Sequence, residues 1–182
     1  MKYITRWALM RCMRQESLSE HTADTALLAH ALCLIARNIT HTGADIRPDT
    51  VAAAALYHDA PEILTGDMPT PIKYYNPQIR DSYKQVEQVA CDKLLHMLPR
   101  ELQPDYEAAL RPADPAVEEL VKAADKLSAH IKCLEELKAG NGEFRAAAEQ
   151  TRQALERMDL PEVKYFCDNF LGSFSLTLDE ME

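Results

Sequence analysis

Glycine is scarce in this chain, at 5 of 182 residues. An all-β sandwich or barrel needs a turn residue at nearly every strand end, so this count argues against one. Long apolar runs are also missing. No segment approaches the stretch of about 20 apolar residues that spans a bilayer. The opening residues Met1 to Trp7 show no apolar leader, so the expected compartment is the cytoplasm. Positive charge is in deficit, with 20 basic against 29 acidic residues and a net charge of −9. Such a surface repels a polyphosphate backbone, which argues against a nucleic-acid polymer as partner. Paired cysteines are lacking too. Cys12, Cys33, Cys91, Cys133 and Cys167 are odd in number and have neither metal-knuckle nor redox spacing. They read as reduced, partly buried thiols.

What is present is a helical pattern over almost the whole length. A chain this long buries enough core to fold without a metal staple. A metal would therefore point to catalysis before structure. Residues 1–182 read as one all-α, multi-helix domain. The first helix starts near Ser17 to Ser19, with Ala23, Ala26, Leu27, Leu34 and Ile35 as its apolar stripe. The second is expected over Thr50 to Ala60, and Pro61 breaks or restarts it. Residues 65–71 read as a loop. Asn76-Pro77 and Asp114-Pro115 are cap-then-proline starts of two long helices. Ile79, Tyr83, Val86, Ala90, Leu94 and Met97 form the stripe of the first of these. Val117 through Leu134 supply the buried face of the second. A weak helix follows Pro104. Two more helices carry Phe144 to Met158 and Val163 to Phe170. The acidic pairs Glu118-Glu119 and Glu135-Glu136 read as solvated helix faces.

Of six histidines, only His58 is followed directly by aspartate, in Tyr57-His58-Asp59-Ala60-Pro61-Glu62. Alone that pair is a weak signal. His21 opens the previous long helix, and Asp125 sits on a later one beside Val121, Ala124 and Ser128. An inward carboxylate there costs several kcal/mol unless paired or metal-bound. Two imidazoles and two carboxylates from separate helices make a nitrogen-and-oxygen donor set. That set suits a first-row divalent cation and leaves positions for water and substrate.

The order His, then His-Asp, then Asp resembles the HD-domain phosphohydrolase superfamily. Several segments extend the match: Arg6-Trp7, Ser19-Glu20-His21, His58 through Lys73, Lys122 through Asp125, Lys132 through Glu136, and Ser173 through Glu180. Together they resemble the YfbR-like 5′-deoxynucleotidases over nearly the whole chain. The resemblance implies one divalent ion, such as cobalt or manganese, held by His21, His58, Asp59 and Asp125. It implies Glu62 as the catalytic carboxylate, Arg6 on the phosphate and Trp7 facing the sugar. The stretch Asp67, Met68, Pro69 and Thr70 would contact substrate, beside His21, Glu62 and Asp125. The implied reaction takes a deoxyribonucleoside 5′-monophosphate to the nucleoside and phosphate, in a homodimer.

The chemistry is consistent with these residue types. A cation makes hydroxide available near neutral pH and neutralises phosphate oxygens. Glu62, one turn beyond His58 in a continuing helix, can exchange a proton with water or with the leaving oxygen, and Asp67 is the alternative. Arg6 offers a fork of donors that matches phosphate. Trp7 against the sugar can exclude a 2′-hydroxyl by leaving it unpaired, at a cost of ~1–3 kcal/mol. Two other functions compete: a different HD enzyme acting on diesters or triphosphates, and a helical metal-binding module without catalysis.

Overall fold

The computed structural model describes residues 1–73 and 75–180, so the last two positions of the 1–182 domain reading fall outside it. Among the described residues the architecture is all α-helical, joined by short turns, with no strand beyond one isolated bridge.

Helix α1 spans Leu18–Asn38. It begins with a full capping box: Ser17 Oγ accepts the Glu20 amide, and the Glu20 side chain accepts the Ser17 amide. A cap of this kind is worth about 1 kcal/mol. Helix α2 (Pro48–Tyr57) ends three residues earlier than the apolar pattern suggests. Pro61 cannot donate a backbone hydrogen bond, and the chain passes through a turn into the single-turn α3 (Glu62–Thr65). Gly66, at φ +75°, supplies the left-handed residue that ends α3. The single-turn α4 (Thr70–Lys73) leads to α5 (Pro77–His96), whose first turn is capped by the Asn76 side chain. Helix α6 (Gln103–Leu110) is short, and α7 (Pro115–Lys138) is the longest. Asp114 caps α7 by accepting the Ala116 amide. Helices α8 (Arg145–Met158) and α9 (Pro161–Asn169) follow, with Phe144 in a 3-10 turn ahead of α8.

The main core lies where α1, α2 and α7 meet, closed by α9. Leu32, Val51, Ala55, Ala123, Ala124 and Leu127 have no exposed surface there. A fully buried Leu or Val contributes roughly 1.5–3 kcal/mol. The small residues of α2 and α7 let the three helices approach closely. That approach brings their polar side chains at one end of the bundle into reach of each other. The free cysteines fit this picture, with Cys33, Cys91 and Cys133 buried.

The stripe expected for α1 is out of phase. Ala26 and Ile35 are buried, but Ala23 is exposed, Leu27 is 71% exposed and Leu34 is 37% exposed. The buried face instead runs through His21, Thr25, Leu28, Leu32 and Ala36. Burial of the polar pair His21 and Thr25 rotates the helix away from the phase that apolar residues alone predict. Val86 of α5 and Met97 just beyond it are exposed, while Tyr83 and Ala90 are buried as expected, together with Cys91 and Leu95. Phe170 is 44% exposed. Glu136 also corrects the sequence reading. It is 2% exposed and faces inward, not into solvent, because Lys132 one turn earlier pairs with it at 2.6 Å.

Candidate active site

Three helices deliver the polar cluster. His21 lies in the first turn of α1, fully buried, because the capping box fixes where α1 starts. Its Nδ1 is 3.2 Å from Ser128 Oγ on α7. That contact leaves Nε2 directed at two carboxylates: Asp125 Oδ1 at 3.2 Å and Asp59 Oδ2 at 3.5 Å. His58 caps the end of α2. Its Nδ1 donates to the Ala55 carbonyl at 2.7 Å, which makes Nε2 the lone-pair nitrogen. That Nε2 is buried and makes no hydrogen bond, although Asp59 Oδ2 is 3.1 Å away. Donor atoms of His21, His58 and Asp125 lie within 4.8 Å of one another.

Four carboxyl groups crowd this corner. Asp59, Glu62, Asp67 and Asp125 face Arg6, whose Nη1 reaches Asp59 Oδ2 at 3.4 Å. Burial would lower the His58 pKa, but the adjacent carboxylate of Asp59, with the charge of Asp125, lifts it to about 9. A proton on that ring takes the place a metal ion would hold. Burial would also raise the Asp125 carboxyl. His21 and Lys126 outweigh it and hold the group well below the usual carboxylate range. The pieces fit a divalent cation: two imidazole nitrogens, two carboxylates, and a buried nitrogen without a partner.

Glu62 stands at the start of α3, 5% exposed. Its amide bonds the Asp59 carbonyl at 3.0 Å, so a tight turn lies between His58 and Glu62, at the break expected from Pro61. Its Oε2 is buried without a partner. Burial first, then the charges of Asp59 and Asp67, push its pKa up to about 8. Asp67 is half-buried in the loop after Gly66, and burial raises it too, against the pull of Arg6.

A cavity of about 430 Å³ opens on this corner. His58, Asp59, Glu62 and Asp125 line one end, and Leu110, Pro112, Val121 and Lys122 line the other. The far wall, from the α6–α7 corner, went unseen in the sequence. No motif marks it, since its residues are apolar or singly charged. Of the residues expected to contact substrate, Arg6, Trp7, His21, Asp67, Met68, Pro69 and Thr70 are not among the cavity's lining residues. Met68 and Pro69 are half-buried and Thr70 is exposed at the start of α4. Trp7 packs on Phe144 with ring centroids 5.3 Å apart. Its φ of 59° is a rare conformation for a bulky residue, costing roughly 1–3 kcal/mol.

The segment carrying Arg6 and Trp7 is held by hydrogen bonds. Thr5 bridges Ser17 in antiparallel fashion, and the Arg6 amide bonds the Glu16 carbonyl at 2.9 Å. Further along, Glu136 accepts the amides of Met13 at 2.8 Å and Arg14 at 3.1 Å. Lys132 Nζ donates to the Arg14 carbonyl at 2.6 Å, and Asn141 to the Arg11 carbonyl at 2.6 Å. This is a chemical role for the Lys132-to-Glu136 segment. Glu16 is the residue that sequence reasoning missed here. It is 9% exposed and lies between Arg6, Trp7 and His21.

Three kinds of similarity bear on this site. The family model described as 5′-deoxynucleotidase YfbR-like matches residues 1–174. A 5′-deoxynucleotidase of Pectobacterium atrosepticum is 49% identical, covering 100% of this chain and 91% of the relative. One from Yersinia pestis is 48% identical, covering 100% and 92%. Among solved structures, an HD-domain phosphohydrolase from Listeria innocua is similar in fold. Its TM-score is 0.80 at 22% identity, over 95% of this chain and 83% of that one. A cyanophage S-2L HD phosphohydrolase, bound to dA and one catalytic Zn²⁺ ion, superposes with a TM-score of 0.68. Its identity is 21%, over 94% of this chain and 92% of that one.

Proposed function

This chain belongs to the YfbR-like 5′-deoxynucleotidase family, and from that premise we propose how its own residues carry out the hydrolysis. It is a phosphoric monoester hydrolase that takes a deoxyribonucleoside 5′-monophosphate to the nucleoside and inorganic phosphate. The observation that carries the residue assignment is the convergence of His21, His58, Asp59 and Asp125, with His58 Nε2 buried and unpartnered. Those four residues would hold one divalent ion, with cobalt or manganese as the expected metal. When bound, such an ion supplies Lewis acidity that lowers the pKa of water towards ~7 and screens the phosphate oxygens.

The remaining work falls to side chains. Arg6 Nη1 donates to Asp59, and its Nε edge faces the Glu16 carboxylate at 3.4 Å. Its remaining donors are those that can face a phosphate, and the planar fork matches phosphate oxygens. Glu62, with a free buried carboxyl oxygen, is placed to hold the proton that the departing 5′ oxygen needs. Asp67 is close enough to Arg6 and Glu62 to share that task. The nucleoside then extends along the cavity towards Leu110 and Pro112. Trp7, together with Met68, Pro69 and Thr70, borders the sugar in this reading.

The exposed Leu27 and Leu34, on one face of α1 with Ala23 and His30, support a homodimer, which light scattering on the purified protein checks. Among the described residues no helix is long and apolar enough to cross a membrane, and a cytoplasmic location is the matching proposal. Residues 1–182 act as one domain in this reading.

Phosphate release from paired ribo- and deoxyribonucleoside 5′-monophosphates, with and without added divalent cation, tests the whole. Release from the deoxy substrates that depends on the cation is the expected result. Cleavage of a triphosphate or cyclic diester in preference to the monophosphate would point to a different HD chemistry.

A further inference from the structure

Glu16 is a buried carboxylate that no step of the reaction uses, yet three donors of the active corner surround it. Trp7 Nε1 donates to its Oε2 at 3.0 Å. Arg6 Nε lies 3.4 Å from the same oxygen, as an ion pair. His21 Nδ1 lies 4.0 Å from its other oxygen, Oε1. The Glu16 carbonyl also accepts the Arg6 amide at 2.9 Å. One residue, immediately before the Ser17 cap of α1, thus touches both residues of the Arg6-Trp7 pair and faces the buried histidine.

We propose that Glu16 is the positioning residue that holds Arg6 and Trp7 in register with the cation-binding corner. It sets phosphate orientation through Arg6 and sugar discrimination through Trp7. The proposal rests on the nucleotidase reading above. Its physical ground is the split use of the Arg6 fork. Nη1 donates to Asp59, while the Nε edge lies 3.4 Å from Glu16 as an ion pair without a hydrogen bond, and these two carboxylates orient the guanidinium. A long Arg side chain loses much rotamer freedom when ordered, so its orientation needs such anchors. The Trp7 indole has a polar end at Nε1 and an apolar face on Phe144. Without the carboxylate the backbone of Trp7 is still held by the Met10 amide and its ring by Phe144, but the indole N–H has lost its partner, and an indole without its hydrogen-bond partner relaxes towards water.

The two functions separate by substitution. Glu16→Gln keeps an oxygen that accepts the indole N–H but removes the charge facing Arg6. Glu16→Ala removes both. Three readouts are taken on the full-length protein: kcat/KM on paired deoxy and ribo 5′-monophosphates, affinity for Mn²⁺, and intrinsic fluorescence. The chain has one tryptophan, so emission reports Trp7 alone and needs no activity.

Glu16→Gln is expected to keep wild-type emission and deoxy preference while losing roughly tenfold in kcat/KM, the scale of removing one charge beside Arg6. Glu16→Ala is expected to show red-shifted emission and a roughly tenfold weaker deoxy preference as well, with Mn²⁺ affinity unchanged. A folded Glu16→Ala protein with unshifted emission and unchanged kcat/KM overturns the proposal. So does a loss of Mn²⁺ affinity in proportion to activity, since Glu16 would then be supporting the ion. Should Glu16→Ala not fold, Glu16→Gln decides by itself: a fall in kcat/KM with steady emission supports the role, and no fall overturns it. Wild-type protein that releases no phosphate in the same assay would count against the nucleotidase reading, while the emission of Glu16→Ala still tests the anchoring of Trp7.

Discussion

The two sides of the active corner are built differently. The imidazole–carboxylate side rests on α1, α2 and α7, whose close packing in the main core places His21, His58, Asp59 and Asp125. The Arg6-Trp7 side is a non-helical segment tied down by polar contacts, to Glu16 nearby and to Lys132, Glu136 and Asn141 on and just after α7. Core packing holds ligands whatever their charge. A polar tether works only while every partner is in place, because each lost partner leaves a buried group unsatisfied. The contrast teaches that damage on the first side should be chemical, and damage on the second side structural and long-ranged.

The sharpest break of the contrast is Asp59→Asn. It should leave the helical signal and unfolding midpoint near wild type while lowering cation-dependent phosphate release on the order of 10³-fold. An unfolded Asp59→Asn protein would mean that the corner is structural and would erase the distinction.

Glu136→Ala tests the other side. Lys132 and Glu136 have side chains only 6% and 2% exposed, so removing one leaves a buried, unpaired charge. Denaturant unfolding should show a loss of about 3–5 kcal/mol. Cation affinity of the fraction that remains folded should be preserved. A loss under 1 kcal/mol would show that the segment does not depend on this tether.

Glu62→Gln comes next. It should bind cation and substrate, keep its fold and lose roughly 10²-fold in turnover. Full turnover would transfer the proton-handling role to Asp67.

The smallest effect is a pH dependence. Burial would raise the Glu136 carboxyl, but Lys132, the Met13 and Arg14 amides and Asn141 outweigh it and hold its pKa at about 2, below its ordinary 4.5. A depressed carboxyl stabilises the fold fully above its ordinary value, and the contribution disappears as pH falls from about 4.5 towards about 2. Acid unfolding of wild type should therefore be steeper across that window than that of Glu136→Gln. Parallel curves would show that this carboxylate has no special standing.

Helix starts were legible wherever a side chain caps its own backbone, as at Ser17, Asn76 and Asp114. These are local events within three residues. The break at Pro61 was legible for the same reason. The faces of α1 and α5 were not. Which residues a helix buries depends on its neighbours, and on α1 the polar His21 and Thr25 are buried while Leu27 is left outside. Glu136 was misjudged in the same way: an acidic residue in a helical stretch is exposed by default, and Lys132, Asn141 and the facing backbone of Met13 and Arg14 make its burial favourable.

By itself, then, the order of residues determined the helical class and nominated His21, His58, Asp59 and Asp125 as candidate donors, because capping and donor chemistry are properties of short segments. The meeting of His21, His58, Asp59 and Asp125 at one point was decided by tertiary structure. So were the α6–α7 wall of the cavity and the hub at Glu16. The first requires groups far apart along the chain to approach within a few ångströms, a distance set by the packing of α1, α2 and α7, and the other two depend on how α6 and the segment before α1 lie against that bundle.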